Sequence, residues 1–79
     1  MNYIFIFFSQ SGAIMFKRQC DKKVIDCKLS PTPRALSSSC GTCATIEYDD
    51  DPLKLSTDEV ESIYKIKNER NFELIFDNY

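Results

Sequence analysis

The chain has 79 residues, 43% of them apolar and 28% charged, with a formal net charge of −2, four cysteines and no histidine. That length encloses one small domain, which buries only about 60% of the surface its unfolded form exposes. The acidic balance argues against nucleic acid, no apolar run nears the roughly 20 residues of a membrane span, and without histidine there is no Cys–His or Ser–His–Asp nucleophile and no His-bearing zinc site.

Residues 3–8 (YIFIFF) are β-branched and aromatic at both parities, which suits a central strand. No Lys or Arg precedes them, the first cation being Lys17, so the run is read as a strand and not as a signal peptide. This implies a cytoplasmic protein whose cysteines are mostly reduced. Ser9, Ser11 and Gly12 offer N-cap chemistry for a helix running to about Lys22, with Ala13, Phe16 and Cys20 on its inner face. Residues 24–29 alternate as a strand, Ile25, Cys27 and Leu29 on one side and Asp26 and Lys28 on the other.

Residues 30–39 (SPTPRALSSS) break the periodicity as a Pro/Ser-rich loop. Residues 42–48 resume as a strand, with Ala44, Ile46 and Tyr48 facing one way and Cys43, Thr45 and Glu47 the other. Asp49, Asp50, Asp51 and Pro52 form a turn, and their spacing lacks the alternating ligands of a calcium loop. Ser56 and Glu59 fit a capping box, Leu55 can staple to Val60, and Val60, Ile63 and Tyr64 make a helical stripe. Asp58, Glu59 and Glu61 near that helix start, and Lys65, Lys67 and Arg70 toward its end, suit its dipole. Phe72, Leu74 and Phe76 alternate as a last strand. The expectation is therefore one α+β domain over residues 1–79: a ferredoxin-like βαββαβ sandwich, two helices on one face of a four-stranded antiparallel sheet.

Chemistry concentrates at Cys40 and Cys43. Cys40 lies where the polar loop enters a strand, beside Gly41, a residue that allows close backbone approach. Arg34 and loop amides can stabilise a thiolate, the reactive form of the thiol. At Cys-x-x-Cys spacing, Cys43 can resolve a sulfenic acid, form a disulfide or share a metal with Cys40. Thioredoxin chemistry fits poorly, because there the pair opens a helix, whereas β-branched residues follow here. Cys20 and Cys27 fall on apolar faces and read as small hydrophobes, and their spacing does not complete a four-cysteine zinc site. No cofactor is expected, and Cys40 and Cys43 are the only candidate metal ligands.

The motif of Pro31, Pro33, Arg34, Ser38 or Ser39, Cys40 and Gly41, with the opening strand and the Ser9-Gln10-Ser11 helix start, is distinctive. It resembles the small bacterial family of selenium/sulfur carrier protein-like domains, whose pattern is roughly Pro-x-Pro-Arg, a few residues, then Ser-x-Cys-Gly. The resemblance runs from Tyr3 to about Tyr64. The chain departs from the family's pattern over residues 49–54 and in its aromatic last strand.

The resemblance implies a carrier or accessory protein rather than an enzyme. Cys40 would hold a persulfide or selenosulfide, received from a sulfur or selenium donor enzyme and passed to an acceptor protein. Pro31, Pro33, Ser38, Ser39 and Gly41 would shape the docking loop. A carrier of the thiocarboxylate type ends in Gly-Gly, whereas this sequence ends Phe-Asp-Asn-Tyr, so the load is expected on a cysteine. The alternatives are a redox or metal-binding module using Cys40 and Cys43 together, and a non-catalytic interaction domain in which the cysteines are incidental.

Overall fold

The computed structural model describes residues 1–36, 39–68 and 71–78. Along the chain run β1 (Asn2–Phe7), α1 (Gln10–Lys22), β2 (Cys27–Pro31), β3 (Thr42–Glu47), a 3-10 turn (Pro52–Leu55), β4 (Val60–Asn68) and β5 (Asn71–Asp77). The strands form one sheet in the order β2-β3-β1-β4-β5, with every neighbouring pair antiparallel.

β1 is the central strand, and its two apolar parities explain why it can be. Tyr3, Phe5 and Phe7 join Ala13, Phe16 and Cys20 of α1 in a front core, completed by Cys27, Ala44, Ile46, Leu55, Val60 and Ile63. Phe16 is the keystone of that contact, with its ring centroid 4.5 Å from Phe5 and 5.2 Å from Phe7. On the opposite face Ile4 and Ile6 pack with Cys43, flanked by Leu36, Tyr64, Ile66 and Phe72.

Ser9 starts α1 by accepting the Gly12 N–H at 3.1 Å, and its own hydroxyl donates to Glu59 at 3.1 Å. Gly12 lets the helix lie directly against that glutamate; a Cβ there would sit 2.5 Å from the Glu59 Cβ.

The expected ferredoxin-like sandwich, with four strands and two helices, is not what the chain forms. The sheet has five strands, and α1 is the one α-helix among the described residues. The segment read as a second helix is β4. Its capping box does not form, because Glu59 receives the Ser9 hydroxyl instead and Thr57 caps the Glu59 N–H at 3.2 Å.

The apparent helical stripe has a specific cause. Ile6 pairs with Ser62 but Phe7 with Val60, so Glu61 is an extra residue in β4. Such a bulge brings residues three apart onto one face. Val60 and Ile63 both reach the front core while Tyr64 turns to the back, a spacing that imitates one helical turn.

β5 carries a second irregularity. Ile63 pairs with Phe76 and Tyr64 with Leu74, leaving Ile75 over. Phe76 therefore joins the front core and Phe72 the back, so the expected single alternating face is divided between the two. Arg70, placed by sequence at the end of the second helix, lies outside the described residues.

α1 ends in a tight reversal. The Ile25 N–H donates to the Cys20 carbonyl at 2.8 Å and the Val24 N–H to the Asp21 carbonyl at 3.2 Å, the pair of bonds of a Schellman motif. The residue at the left-handed position is Val24, with φ of 59° and 93% of its surface exposed. A β-branched side chain is strained there, and glycine is not. Replacing Val24 with Gly should therefore raise stability by about 1 kcal/mol, read as a higher urea midpoint at unchanged m-value. An unchanged or lower midpoint would show that the reversal stores no strain.

Candidate functional site: the Cys40 loop

β2 and β3 are joined by residues 32–41, and the loop is closed at its neck. Pro31 pairs with Thr42 at the end of the ladder, and the Thr32 N–H then donates to the Gly41 carbonyl at 3.0 Å. Within the loop the Leu36 N–H donates to the Pro33 carbonyl at 3.0 Å, a turn with Arg34 and Ala35 at its exposed corner. Leu36 folds back onto the rear core beside Ile4, Ile6 and Cys43. The Ser39 N–H donates to Oε1 of Glu61 at 3.1 Å. Ser38, the remaining residue of the expected docking loop, lies outside the described residues, as does Ser37.

Gly41 has φ of +74°, and a Cβ there would meet nothing within 4 Å. Glycine is required by backbone conformation and not by crowding. The turn it makes leads directly from Cys40 into β3. Cys43 lies opposite Ile6, so Cys40 sits past the end of the ladder, at the end of the sheet where β1 runs toward α1.

The four cysteines separate by environment. Cys40 is half-buried beside the front core, and its thiol donates to the Thr42 carbonyl at 3.4 Å. Cys43 is buried on the rear face, with its sulfur 3.6 Å from the Ser30 hydroxyl and 3.7 Å from the Pro31 carbonyl. Burial pushes the Cys43 thiol above its ordinary range; the Ser30 hydrogen bond opposes that shift and the nearby Cys40 adds to it. The two cysteines of the Cys-x-x-Cys string thus pack against opposite cores, although they are near enough to interact electrically. The guanidinium of Arg34 makes no ion pair with a described residue.

Cys20, in the last turn of α1, and Cys27, the first residue of β2, are 1% and 7% exposed in the front core. Burial raises both thiols, and their contact with each other couples them. Among the described residues no three His, Cys, Asp or Glu side chains gather as a metal cluster. Asp50 of the acidic turn is paired with Lys54 at 2.9 Å.

Two participants escaped the sequence reading. Leu36 was legible in principle as an apolar residue in a polar loop. Glu61 reads from sequence as a residue of a helix start; its one signal is the broken alternation of Val60, Glu61, Ser62 and Ile63, which a bulge explains and a simple strand does not.

The chain belongs to the selenium/sulfur carrier-like family: the family model described as "Putative Se/S carrier protein-like" matches residues 2–73. The match extends past Tyr64, through β4 and into β5. No curated protein and no solved structure matches the chain. No helix among the described residues is long and apolar enough to cross a membrane.

The buried thiols carry a pH signature. Burial, reinforced by Cys20, pushes Cys27 from 9.0 up to about 12. An unfolded chain sheds this proton near pH 9.0 while the folded chain keeps it, so above that pH the unfolded state binds fewer protons and folding weakens. Denaturation at stepped pH should show stability falling between pH 9.0 and about 12, less steeply in Cys27→Ala. Equal slopes in the two proteins would contradict the assignment.

Proposed function

We propose that the protein carries sulfur or selenium on Cys40, as a persulfide or selenosulfide, between a donor enzyme and an acceptor protein. The observation that supports this most is the segregation of the cysteines. Cys20, Cys27 and Cys43 are enclosed in the cores, and Cys40 alone stands at the margin of a closed, partly exposed loop. Membership of a family described as selenium/sulfur carrier-like points the same way.

The chemistry needs no cofactor. The Cys40 thiolate attacks the outer sulfur of a persulfide on the donor; a new S–S bond forms at Cys40, the old one breaks, and the donor leaves as a thiolate. One sulfane sulfur changes hands with no net oxidation. The return step is the same exchange with the acceptor's thiol as nucleophile. Arg34, exposed at the loop corner, supplies positive charge on the surface the donor would meet. Cys43 is enclosed and is not required.

Incubation with a cysteine desulfurase and cysteine, followed by peptide mass mapping, tests the proposal. One added sulfur should appear on Cys40, vanish in Cys40→Ala, persist in Cys43→Ala, and load roughly severalfold more slowly in Arg34→Ala. Sulfur on Cys43, or a Cys40–Cys43 disulfide as the sole product, would overturn the carrier reading in favour of a paired redox module.

A further inference from the structure

Glu61 is the one buried charged side chain among the described residues. It is the extra residue of the β4 bulge, and it is only 2% exposed. A carboxylate removed from water is costly unless hydrogen bonds replace its hydration, so its retention in a small core calls for a reason. Its Oε1 accepts the Ser39 N–H at 3.1 Å. Ser39 immediately precedes Cys40.

The bulge that presents this carboxylate is itself fixed. The Asn78 N–H donates to the Glu61 carbonyl at 2.9 Å, and the Asn78 side-chain amide donates to the Val60 carbonyl at 3.3 Å. Val60 on one side is fully enclosed in the front core, and Ser62 on the other pairs with Ile6. Glu61 therefore extends from backbone held on several sides toward the loop that ends at Cys40. A glutamate suits the task, being acceptor-only when ionised and long enough to reach from sheet to loop. Bulges elsewhere serve to re-aim one side chain without ending a strand.

We infer that Glu61 is the positioning residue of the Cys40 loop, holding through its carboxylate oxygen the backbone just before the thiol. The sulfur-carrying consequence rests on the carrier reading: with that backbone fixed, Cys40 meets a protein donor in one orientation. The positioning itself stands on the geometry alone. Its signature is a split. A released loop admits a small reagent more readily, but it presents the thiol less productively to a protein that must dock.

The test compares wild type with Glu61→Ala, Glu61→Gln and Ser39→Pro. Glu61→Ala removes the acceptor, Glu61→Gln keeps an oxygen in place, and Ser39→Pro deletes the same N–H from the loop side without touching β4. Loss of one such bond corresponds to about tenfold in local opening, so iodoacetamide should alkylate Cys40 up to about tenfold faster in Glu61→Ala and Ser39→Pro. Hydrogen exchange at the Ser39 amide should accelerate similarly in Glu61→Ala, while Cys20 and Cys27 stay protected. Glu61→Gln should match wild type in both readouts, and sulfur loading from a desulfurase should slow in Glu61→Ala.

Cys40 alkylation unchanged in both Glu61→Ala and Ser39→Pro would overturn the inference, as would Glu61→Gln behaving like Glu61→Ala. If Glu61→Ala fails to fold, Ser39→Pro and Glu61→Gln decide the question. If wild type takes no sulfur at all, the carrier reading falls, while alkylation and exchange still judge the positioning role.

Discussion

Where Ile6 and Phe7 of the central strand face β4, the partner strand inserts Glu61 between the residues they pair with, and much of the second half of the molecule follows from that insertion. The bulge lets Val60 and Ile63 both enter the front core, while Ser62 pairs with Ile6 and Tyr64 packs on the rear. It also aims a carboxylate at the backbone before Cys40. Without it, strict alternation would place Ile63 on the opposite face from the one it fills, a shift that a chain with so small a core could hardly absorb.

The site and the core are parts of one arrangement. β1 supplies aromatic side chains to the front and isoleucines to the rear, so the loop between β2 and β3 has apolar surface to settle on through Leu36. The same partition separates three enclosed thiols from a half-buried one. Desolvation disfavours the thiolate of the enclosed cysteines and leaves Cys40 as the one beside solvent. Fold and thiol burial are thus set by the same alternation of side chains along a few strands.

Much of this was legible in the sequence up to Glu47. The aromatic run of β1, the Ser9 cap, the inner face of α1 and the alternation of β3 each follow from local propensity and period, and the motif of Pro31, Pro33, Arg34, Cys40 and Gly41 marks the loop. The second half was misread for a physical reason. A bulge converts a period of two into a spacing of three, and Val60, Ile63 and Tyr64 then satisfy a helical template as well as a strand. Ser56 and Glu59 strengthened the misreading, because a capping box is defined by residue types and the competing partner, Ser9, is distant in the chain. The Glu61–Ser39 bond was invisible for the same cause: it joins residues far apart in sequence through a register that only the assembled sheet defines.

The central claim is that one thiol of four is held for chemistry while the others serve the cores. Its most direct test is intact-mass and peptide analysis of the protein isolated from its own cells without reductant. The account expects a fraction of molecules heavier by a single sulfur or selenium atom, located on Cys40, with Cys20, Cys27 and Cys43 recovered as free thiols. A bound zinc ion, or a disulfide joining Cys40 to Cys43 in place of any added chalcogen, would contradict it.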